Sequence, residues 1–291
     1  WGETDMKKAV FSLDVEDWFH LDYFERSECD LNNSLLDGLD IYVELIESLS
    51  VPSSFFVLGE IAEKKINYFK DLVRSGHDVG SHGWDHQRPM AMSPQQFQAD
   101  LARCMDAMKK INGDRGFGYR APCFSLDRER LEIVKNSGFV YDSSRIDFGD
   151  HPLYGSIDMS GYEKRVNAIY QDNCFIEFEA TTLPIVGKNI PISGGGYLRL
   201  FPWLLMKYLV SQYLKSNDIY VFYIHPFELS RFPSPTIPKN TSTLTKFRFE
   251  HGRGGVVDKI KKLTDLLHSN NYEFTTFSAL HAEMITGSPT G

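Results

Sequence analysis

The strongest constraint on the fold of this chain is an alternation between short apolar runs and longer helical patterns. The apolar runs have the length of buried strands and lie at residues 9–13, 53–58, 77–81, 118–121, 140–143, 175–179, 219–224 and 273–277. Helices are predicted at residues 35–49, 61–75, 93–111, 131–137, 203–215 and 256–269. Alternating strands and helices are typical of parallel βα units, so the sequence predicts an α/β fold, either a barrel or a doubly wound sheet.

The remaining segments show no repeat, no low-complexity tract and no linker. Residues 145–195 carry prolines, glycines and short β-like runs, which indicates an insertion or elaborated loops. Residues 230–240 hold three prolines and are expected to form an extended loop. We therefore expect one domain over residues 6–285. Residues 1–5 have the character of an artificial extension in front of Met6.

Charge and composition exclude several classes of function. Acidic residues outnumber basic ones, 39 to 31, and the formal charge is −8. Nucleic-acid binding is not expected, because it normally needs a basic face. No apolar stretch approaches the ~18 residues of a membrane-spanning helix. The four cysteines form no CxxC pair, which is typical of reduced thiols. Because the apolar run after Met6 is too short for a signal peptide, we expect a cytoplasmic location.

Two polar motifs that follow predicted strands favour a metal site. Asp14, Glu16 and Asp17 come directly after the first strand, and three carboxylates so close together repel unless solvent or a cation relieves them. His82 and His86 follow the third strand at a spacing that lets both imidazoles reach one ion. A solvated acidic turn or a chance histidine pair would explain either motif alone. Together, at strand ends where α/β active sites lie, they match a common hydrolytic metal set.

Two further strand ends carry groups suited to catalysis. Arg120 precedes a rigid Ala-Pro dipeptide, so it could hold a carboxylate with two hydrogen bonds while the proline fixes the following backbone N–H groups. Taken alone, such a residue is more often an ordinary salt-bridged arginine. His225 ends the apolar strand 219–224 and precedes Pro226. A lone histidine there is more often structural, but beside a metal site it could act as a general acid.

In this order, the motifs resemble those of the polysaccharide deacetylases, carbohydrate esterases that share the chitooligosaccharide-deacetylase (NodB) homology domain. The resemblance runs from about residue 9 to residue 277 and includes SSFFVLG (53–59), GHDVGSH (76–82) and YDSS (141–144). Four segments resemble a narrower bacterial subfamily found with exopolysaccharide and surface-glycan synthesis: DVEDWFH (14–20), GYRAP (118–122), GGGYLR (194–199) and YIHP (223–226).

The resemblance implies a distorted (β/α) barrel with about seven parallel strands and a metal-dependent N-deacetylase that acts on an N-acetylated sugar of a glycan or its precursor. The implied cofactor is a divalent metal, with Zn²⁺ expected. The ligands would be His82, His86 and one carboxylate. Val15 stands where the family has its second aspartate, so Asp17 or Glu16 must supply that carboxylate. We expect Asp17, with Glu16 as the alternative.

The resemblance also implies the remaining roles at the site. Asp14, oriented by Arg120, would be the general base. His225 would be the general acid, with Asp142 holding it in the charged state. Two residues would contact the substrate. The backbone N–H of Cys123 would contribute to an oxyanion hole, and Tyr197 would help to shape the substrate groove.

Two other functions remain open from the sequence. One is an amidohydrolase that acts on a small cyclic amide or ureide, since allantoinase-like and imidase relatives share the barrel. The other is a catalytically silent glycan-binding member of the family. The displaced second aspartate favours silence, whereas the presence of Asp14, His82, His86 and His225 argues against it.

Overall fold

The computed structural model describes residues 7–149 and 151–286, so the expected extension 1–5 and Met6 lie outside the described residues. The strands are β1 Lys7–Val15, β2 Ser53–Val57, β3 Asp78–Ser81, β4 Tyr141–Asp142, β5 Glu163–Val166, β6 Ile169–Asp172, β7 Phe175–Phe178, β8 Thr182–Ile185, β9 Lys188–Pro191, β10 Ile219–Ile224 and β11 Tyr272–Thr275. The helices are α1 Asp37–Ser48, α2 Gly59–Lys64, α3 Ile66–Arg74, α4 Pro94–Asn112, α5 Arg128–Asn136, α6 Gly195–Leu200, α7 Trp203–Tyr213, α8 Pro226–Leu229, α9 Thr243–Glu250, α10 Val256–His268 and α11 Phe277–Thr286. Within these described ranges, no helix is long and apolar enough to cross a membrane.

Strand β1 is the centre of the parallel sheet. One edge pairs with β10, from Lys8 opposite Ile219 to Leu13 opposite Ile224. The other edge pairs first with β11 and then with β2, which in turn pairs with β3. Both faces of β1 from Ala9 onward are buried, as expected for a strand covered by helices on one side and barrel interior on the other.

The barrel wall continues from β3 to β4 through a single residue. Tyr119 forms parallel bridges to Ser81 and to Asp142, and β4 then pairs with β7. The predicted strand 118–121 is thus reduced to a bridge, because Pro122 has no N–H with which to extend the ladder. The expected α/β fold and distorted (β/α) barrel are confirmed. The strand number stays a prediction, since the wall is interrupted at Tyr119.

Close packing at this interruption depends on Gly118. A Cβ atom placed there would lie 1.9 Å from the Tyr141 ring, a distance that no side chain could occupy. The glycine therefore lets the chain pass directly over the ring and sets the position of the next residues, Tyr119 and Arg120.

Several helix predictions are confirmed within a few residues. The helix expected at 93–111 is α4, which begins with a capping box between Ser93 and Gln96. The single helix predicted at 61–75 is wrong. It begins two residues earlier and breaks at Lys65, whose φ of −127° and ψ of 32° are not helical. No proline or glycine marks this break in the sequence.

Residues 145–195, predicted to be an insertion or elaborated loops, add antiparallel strands to the barrel. β5, β6 and β7 form an antiparallel meander, and β8 and β9 form a separate hairpin. Their tight turns contain positive φ angles at Ala168, Asn173 and Gly187. The final strand ends at Thr275, two residues before its predicted end, and is followed by α11, which the sequence pattern did not predict.

Candidate active site

Three buried side chains meet where β1 and β3 end. Ligand-type atoms of Glu16, His82 and His86 all lie within 4.8 Å of one another. Glu16 Oε2 is 2.5 Å from His86 Nε2. His86 has a positive φ of 71°, so the turn after β3 brings its ring back toward His82. Sequence analysis thus placed the two histidines and one carboxylate of the acidic motif correctly in space.

Asp17 was expected to be the carboxylate beside the two histidines, but the structure places Glu16 there instead. The Asp17 carboxylate accepts hydrogen bonds from the backbone N–H groups of Trp18 and Leu35, at 2.9 and 2.8 Å, and from the Ser34 hydroxyl. It therefore caps a short turn and anchors the segment before α1. Glu16, the alternative, is the carboxylate that faces the histidines.

The donor set fits a divalent cation. His82 Nδ1 lies 2.9 Å from the Arg120 carbonyl oxygen, which can only accept, so Nδ1 carries the proton and Nε2 keeps its lone pair. Among the described residues, Glu16 Oε2 is buried without a hydrogen bond of standard geometry. One carboxylate oxygen and two imidazole nitrogens are ligands that Zn²⁺ accepts, with further positions open to water or substrate.

Electrostatics at the cluster favour a bound positive charge. Burial opposes ionisation of Glu16, but the three nearby histidines lower its pKa to about 2. Burial lowers the pKa of His82 to about 4, so this ring is neutral at pH 7. Burial also lowers the pKa of His86, but Glu16 and Asp22 outweigh it and raise the pKa to about 10. The ionised carboxylate would thus hold either an imidazolium or a metal cation.

Asp22 is a partner of His86 that sequence analysis missed. Its Oδ2 lies 3.4 Å from His86 Nδ1 and 3.1 Å from the Cys123 sulfur, while Oδ1 pairs with Arg88 at 3.0 Å. A carboxylate on one imidazole nitrogen directs the other toward the cluster. No motif in the sequence distinguishes Asp22 from other exposed acidic residues.

Asp14 and Arg120 form the predicted contact. Arg120 Nη1 donates to Asp14 Oδ1 at 2.7 Å, and the arginine is fully buried. Its other donors are fixed by the Ser12 hydroxyl and by the carbonyl and hydroxyl of Ser143. One carboxylate oxygen of Asp14 is therefore held rigidly, and the second, Oδ2, lies 4.0 Å from His225 Nε2.

His225 lies beside the cluster, but the carboxylate that contacts it is Glu228 and not the expected Asp142. Nε2 is 3.6 Å from Glu16 Oε1, and Nδ1 is 3.1 Å from Glu228 Oε2. Arg199 Nε donates to the other oxygen of Glu228 at 2.7 Å. Burial lowers the pKa of His225, but Glu228, Glu16 and Asp14 together outweigh it and the net shift is upward. Glu228 stands three residues after His225 and forms a capping box with it at the start of α8, a spacing that the sequence does display.

The role expected for Asp142 in holding His225 is wrong, because Asp142 bonds elsewhere. It accepts from the backbone N–H and hydroxyl of Ser144, at 2.9 and 2.8 Å. The same hydroxyl accepts from the Ala121 N–H at 2.8 Å. Burial raises the pKa of Asp142 and that of its neighbour Glu177. Asp142 therefore fixes the turn that follows Arg120.

A cavity of about 630 Å³ joins these groups, a size typical of small-molecule sites. Asp14, Glu16, His82, His86 and His225 line one part of it. Cys123 and Tyr197, the two expected substrate contacts, line it as well. Cys123 has a φ of 53°, and its thiol points to Asp22. Of the residues predicted for the site, Asp17, Asp142 and Arg120 do not line the cavity, but Arg120 contacts the lining residue Asp14.

Comparison with known families assigns nearly the whole chain. Residues 39–141 match the model described as Polysaccharide deacetylase, and residues 143–282 match one described as Domain of unknown function (DUF3473). Over residues 39–141 the chain is therefore similar to the polysaccharide deacetylase family. His82, His86 and Arg120 lie in the first match and His225 in the second, whereas the acidic motif 14–17 precedes both.

Curated relatives of the family match parts of the chain. The peptidoglycan deacetylase of Helicobacter pylori is 29% identical over 133 residues, which is 45% of this chain and 45% of that protein. The peptidoglycan-N-acetylglucosamine deacetylase of Bacillus cereus is 22% identical over 119 residues, 39% of this chain and 43% of that protein. The chain thus spans less than half the length of these relatives.

Solved structures confirm the family fold. The Bc1960 peptidoglycan N-acetylglucosamine deacetylase superposes with a TM-score of 0.52 at 13% identity, over 96% of this chain and 89% of that one. Puue allantoinase superposes with a TM-score of 0.61 at 11% identity, over 98% and 91%. Both likenesses concern the fold alone, because identities this low do not carry function.

Proposed function

We propose that this chain is a metal-dependent hydrolase that removes the acetyl group from an N-acetylated sugar of a glycan or its precursor. The observation that carries the proposal is the grouping of Glu16, His82 and His86 between two supported side chains, Asp14 on Arg120 and His225 on Glu228, inside one cavity. The names of the curated relatives, a peptidoglycan deacetylase and a peptidoglycan-N-acetylglucosamine deacetylase, support the same reaction class.

Glu16, His82 and His86 would hold the cation, with Zn²⁺ expected from the donor set. A divalent cation at such a site supplies positive charge that polarises an amide carbonyl and makes water a stronger acid. The Nδ1 hydrogen bond of His82 to the Arg120 carbonyl keeps its Nε2 available. The Asp22 carboxylate, 3.4 Å from His86 Nδ1, favours a proton on that nitrogen and so leaves His86 Nε2 to the cluster.

Asp14 is suited to accept a proton from the attacking water. Arg120 occupies Oδ1 and leaves Oδ2 as the basic oxygen. The buried guanidinium also keeps Asp14 from rotating, so this oxygen stays directed at the cavity. A base held in one orientation avoids the entropic cost of being positioned during the reaction.

His225 is suited to return a proton to the leaving nitrogen. When water adds to the acetamide carbon and the C–N bond breaks, the products are acetate and a sugar amine, and the amine nitrogen needs a proton. Glu228 favours the protonated ring through Nδ1, which leaves Nε2–H free to donate. Arg199 keeps Glu228 ionised, since it lowers the pKa of this otherwise buried carboxyl.

The cavity walls suit a sugar. Phe124, Phe148, Tyr154 and Tyr197 present rings to the same space, and sugar rings place their C–H faces against aromatic rings. The turn at Cys123, fixed by Pro122 and by Ser144, supports the proposal that its backbone N–H stabilises the developing oxyanion.

The test is product analysis with purified protein reconstituted with one equivalent of Zn²⁺. Incubation with N-acetylglucosamine oligomers should release acetate, and incubation with allantoin or a cyclic imide should not open the ring. The Asp14→Asn variant is the control for contaminating activity. Ring opening without acetate release would replace the proposal with the amidohydrolase function. Sugar binding with no turnover under any divalent metal would replace it with the silent glycan-binding function.

A further inference from the structure

Arg248 is a positively charged residue of the cavity that has no role in the proposed deacetylation. It lies in the last turn of α9 and lines the same cavity as Asp14 and His225. Within residues 7–149 and 151–286, its guanidinium takes part in no ion pair or side-chain hydrogen bond that the structure records. Arg248 is exposed, so its positive charge is accessible from solvent as well as from the cavity that it lines.

The acidic groups of the cavity do not provide that partner. Each of them already faces a cationic or titratable group at 3.0 Å or less: Asp14 with Arg120, Glu16 with His86, Asp22 with Arg88, and Glu228 with Arg199. His151, which lines the same cavity, adds no negative charge, and burial and the charge of Arg248 both lower its pKa. The positive charge of Arg248 is therefore available to a ligand.

The backbone of Arg248 is held in a fixed position relative to the reacting groups. Arg199 Nη2 donates to the Arg248 carbonyl at 2.9 Å, and Arg199 Nη1 donates to the carbonyl of His251. These bonds satisfy carbonyl groups at the C-terminal end of α9, which have no partner within the helix. The same Arg199 side chain donates to Glu228, the support of His225. Arg248 thus lies at a helix end that is connected to the proposed general acid, His225, through Arg199 and Glu228.

A band of aromatic rings connects the two ends of the cavity. Tyr223, whose ring centroid is 5.8 Å from that of His225, contacts Phe124 at 4.9 Å, and Phe124 contacts Tyr154 at 5.7 Å. Phe148 continues the band, at 6.1 Å from Tyr154 and 6.3 Å from Tyr197. Arg248 lines the same cavity as Tyr197, and its charge counteracts the effect of burial on the pKa of Tyr197. A sugar chain along the rings would therefore reach Arg248.

We propose that Arg248 binds an anionic substituent of the substrate, so that the preferred substrate is an N-acetylated sugar linked to a unit that carries a carboxylate or phosphate. The inference rests on the proposed deacetylase function and names its substrate class. Guanidinium groups bind both anions through paired, charge-assisted hydrogen bonds. A neutral N-acetylated oligomer would use the aromatic band but leave Arg248 without a partner.

The test compares three probes by titration calorimetry with the Zn²⁺-loaded Asp14→Asn protein, which should bind without hydrolysis. The probes are chitotetraose (neutral), a hyaluronan tetrasaccharide (carboxylate) and UDP-N-acetylglucosamine (phosphate). At least one anionic probe should bind more tightly than chitotetraose. Adding Arg248→Gln should lower the affinity for that anionic probe by about tenfold, the scale of one charge-assisted hydrogen bond. It should lower the affinity for chitotetraose by less than about twofold. Which anionic probe responds identifies the source of the charge.

Lys246→Gln is the matched control, because it removes one positive charge from the same helix at a residue that does not line the cavity. It should leave all three affinities unchanged. Added salt should lower the affinity for the anionic probe when Arg248 is present and should have little effect on it in the Arg248→Gln variant. Equal weakening of all three probes by Arg248→Gln, or no weakening of any, would overturn the inference.

The two proposals fail in different ways. Absence of acetate release from every probe by the wild-type protein would contradict the deacetylase function while leaving the charge-dependent binding result intact. Acetate release from chitotetraose and from the anionic probes with equal kcat/KM, unchanged in Arg248→Gln, would support the deacetylase function and reject the anionic substrate.

Discussion

The replacement Glu228→Gln tests the support of the proposed general acid. Glu228 is 1% exposed, and its carboxylate receives Arg199 Nε at 2.7 Å and the backbone N–H and Nδ1 of His225 at 3.1 Å each. Glutamine keeps the shape of the side chain but offers one oxygen and one NH₂ group. Because all the neighbours are donors, the NH₂ group must face one of them.

The expected loss of stability follows from the charge that remains. Arg199 is 4% exposed, and without Glu228 its positive charge keeps only backbone carbonyl partners. Removing one member of a buried ion pair costs about 3–5 kcal/mol, and the surviving carbonyl contacts place the expected loss at the lower end, about 3 kcal/mol. Urea denaturation at pH 6 measures it, and Glu250→Gln on the exposed face of α9 is the control for loss of one negative charge.

The same replacement should change the pH dependence. Glu228 raises the pKa of His225 in the folded protein, so its contribution to stability is complete below the unfolded pKa of about 6.5 and is lost as pH rises through the folded pKa. The stability difference between wild type and Glu228→Gln should therefore shrink at alkaline pH. The basic limb of the kcat profile should move to lower pH in the variant. A stability loss below about 1 kcal/mol with an unmoved basic limb would refute this account of His225.

Three further outcomes are expected. Asp14→Asn should keep the bound metal, measured by mass spectrometry of metal content, but lower kcat by about 10²–10⁴, because a base is removed and a ligand is not; loss of the metal would contradict this. Glu177→Gln should flatten the dependence of unfolding free energy on pH between 5 and 8, since burial raises the pKa of Glu177 well above 4.5 and the folded state therefore loses stability as pH rises; an unchanged slope would contradict it. Gly118→Ala should destabilise the fold by about 1–3 kcal/mol or more in urea denaturation, because its Cβ would lie 1.9 Å from the Tyr141 ring; a neutral effect would contradict the close approach.

The positions of His82, His86, Asp14 and Arg120 could be predicted because each lies at or soon after the carboxyl end of a strand or bridge of the parallel barrel wall. Strand ends in a βα fold point to the same edge, so position along the chain translates into proximity. The same reasoning failed for Asp142, which also stands at a strand end. Its side chain turns to Ser144 and to Glu177, which lies far along the chain and belongs to a strand of the insertion.

The choice between Glu16 and Asp17 could not be made from the sequence. It depends on the backbone N–H of Leu35 and on the Ser34 hydroxyl, which approach the acidic motif only in the folded chain. These donors take the shorter side chain, Asp17, and leave Glu16 for the histidines. Glu228 could have been found, because an acidic residue three positions after a histidine at a helix start is a recognisable capping pattern.

The fold was predictable where apolar runs are continuous, as in β1 and β10. The hairpins of residues 145–195 were not, because their strands are short and partly exposed and their turns use positive φ angles at residues other than glycine, such as Ala168 and Asn173. The break at Lys65 has no local signal either.

Metal binding by matched variants tests the central claim most directly. Metal-free protein would be titrated with Zn²⁺ while bound metal and acetate release from an N-acetylglucosamine oligomer are followed together. The wild-type protein should gain activity up to one equivalent of Zn²⁺. Glu16→Gln should lose at least about 100-fold in metal affinity, because even the loss of a residue that only hydrogen-bonds to a metal ligand costs up to about 100-fold. Asp17→Asn should bind Zn²⁺ like the wild type. Full activity without metal, or loss of metal in Asp17→Asn with none in Glu16→Gln, would contradict the site described here.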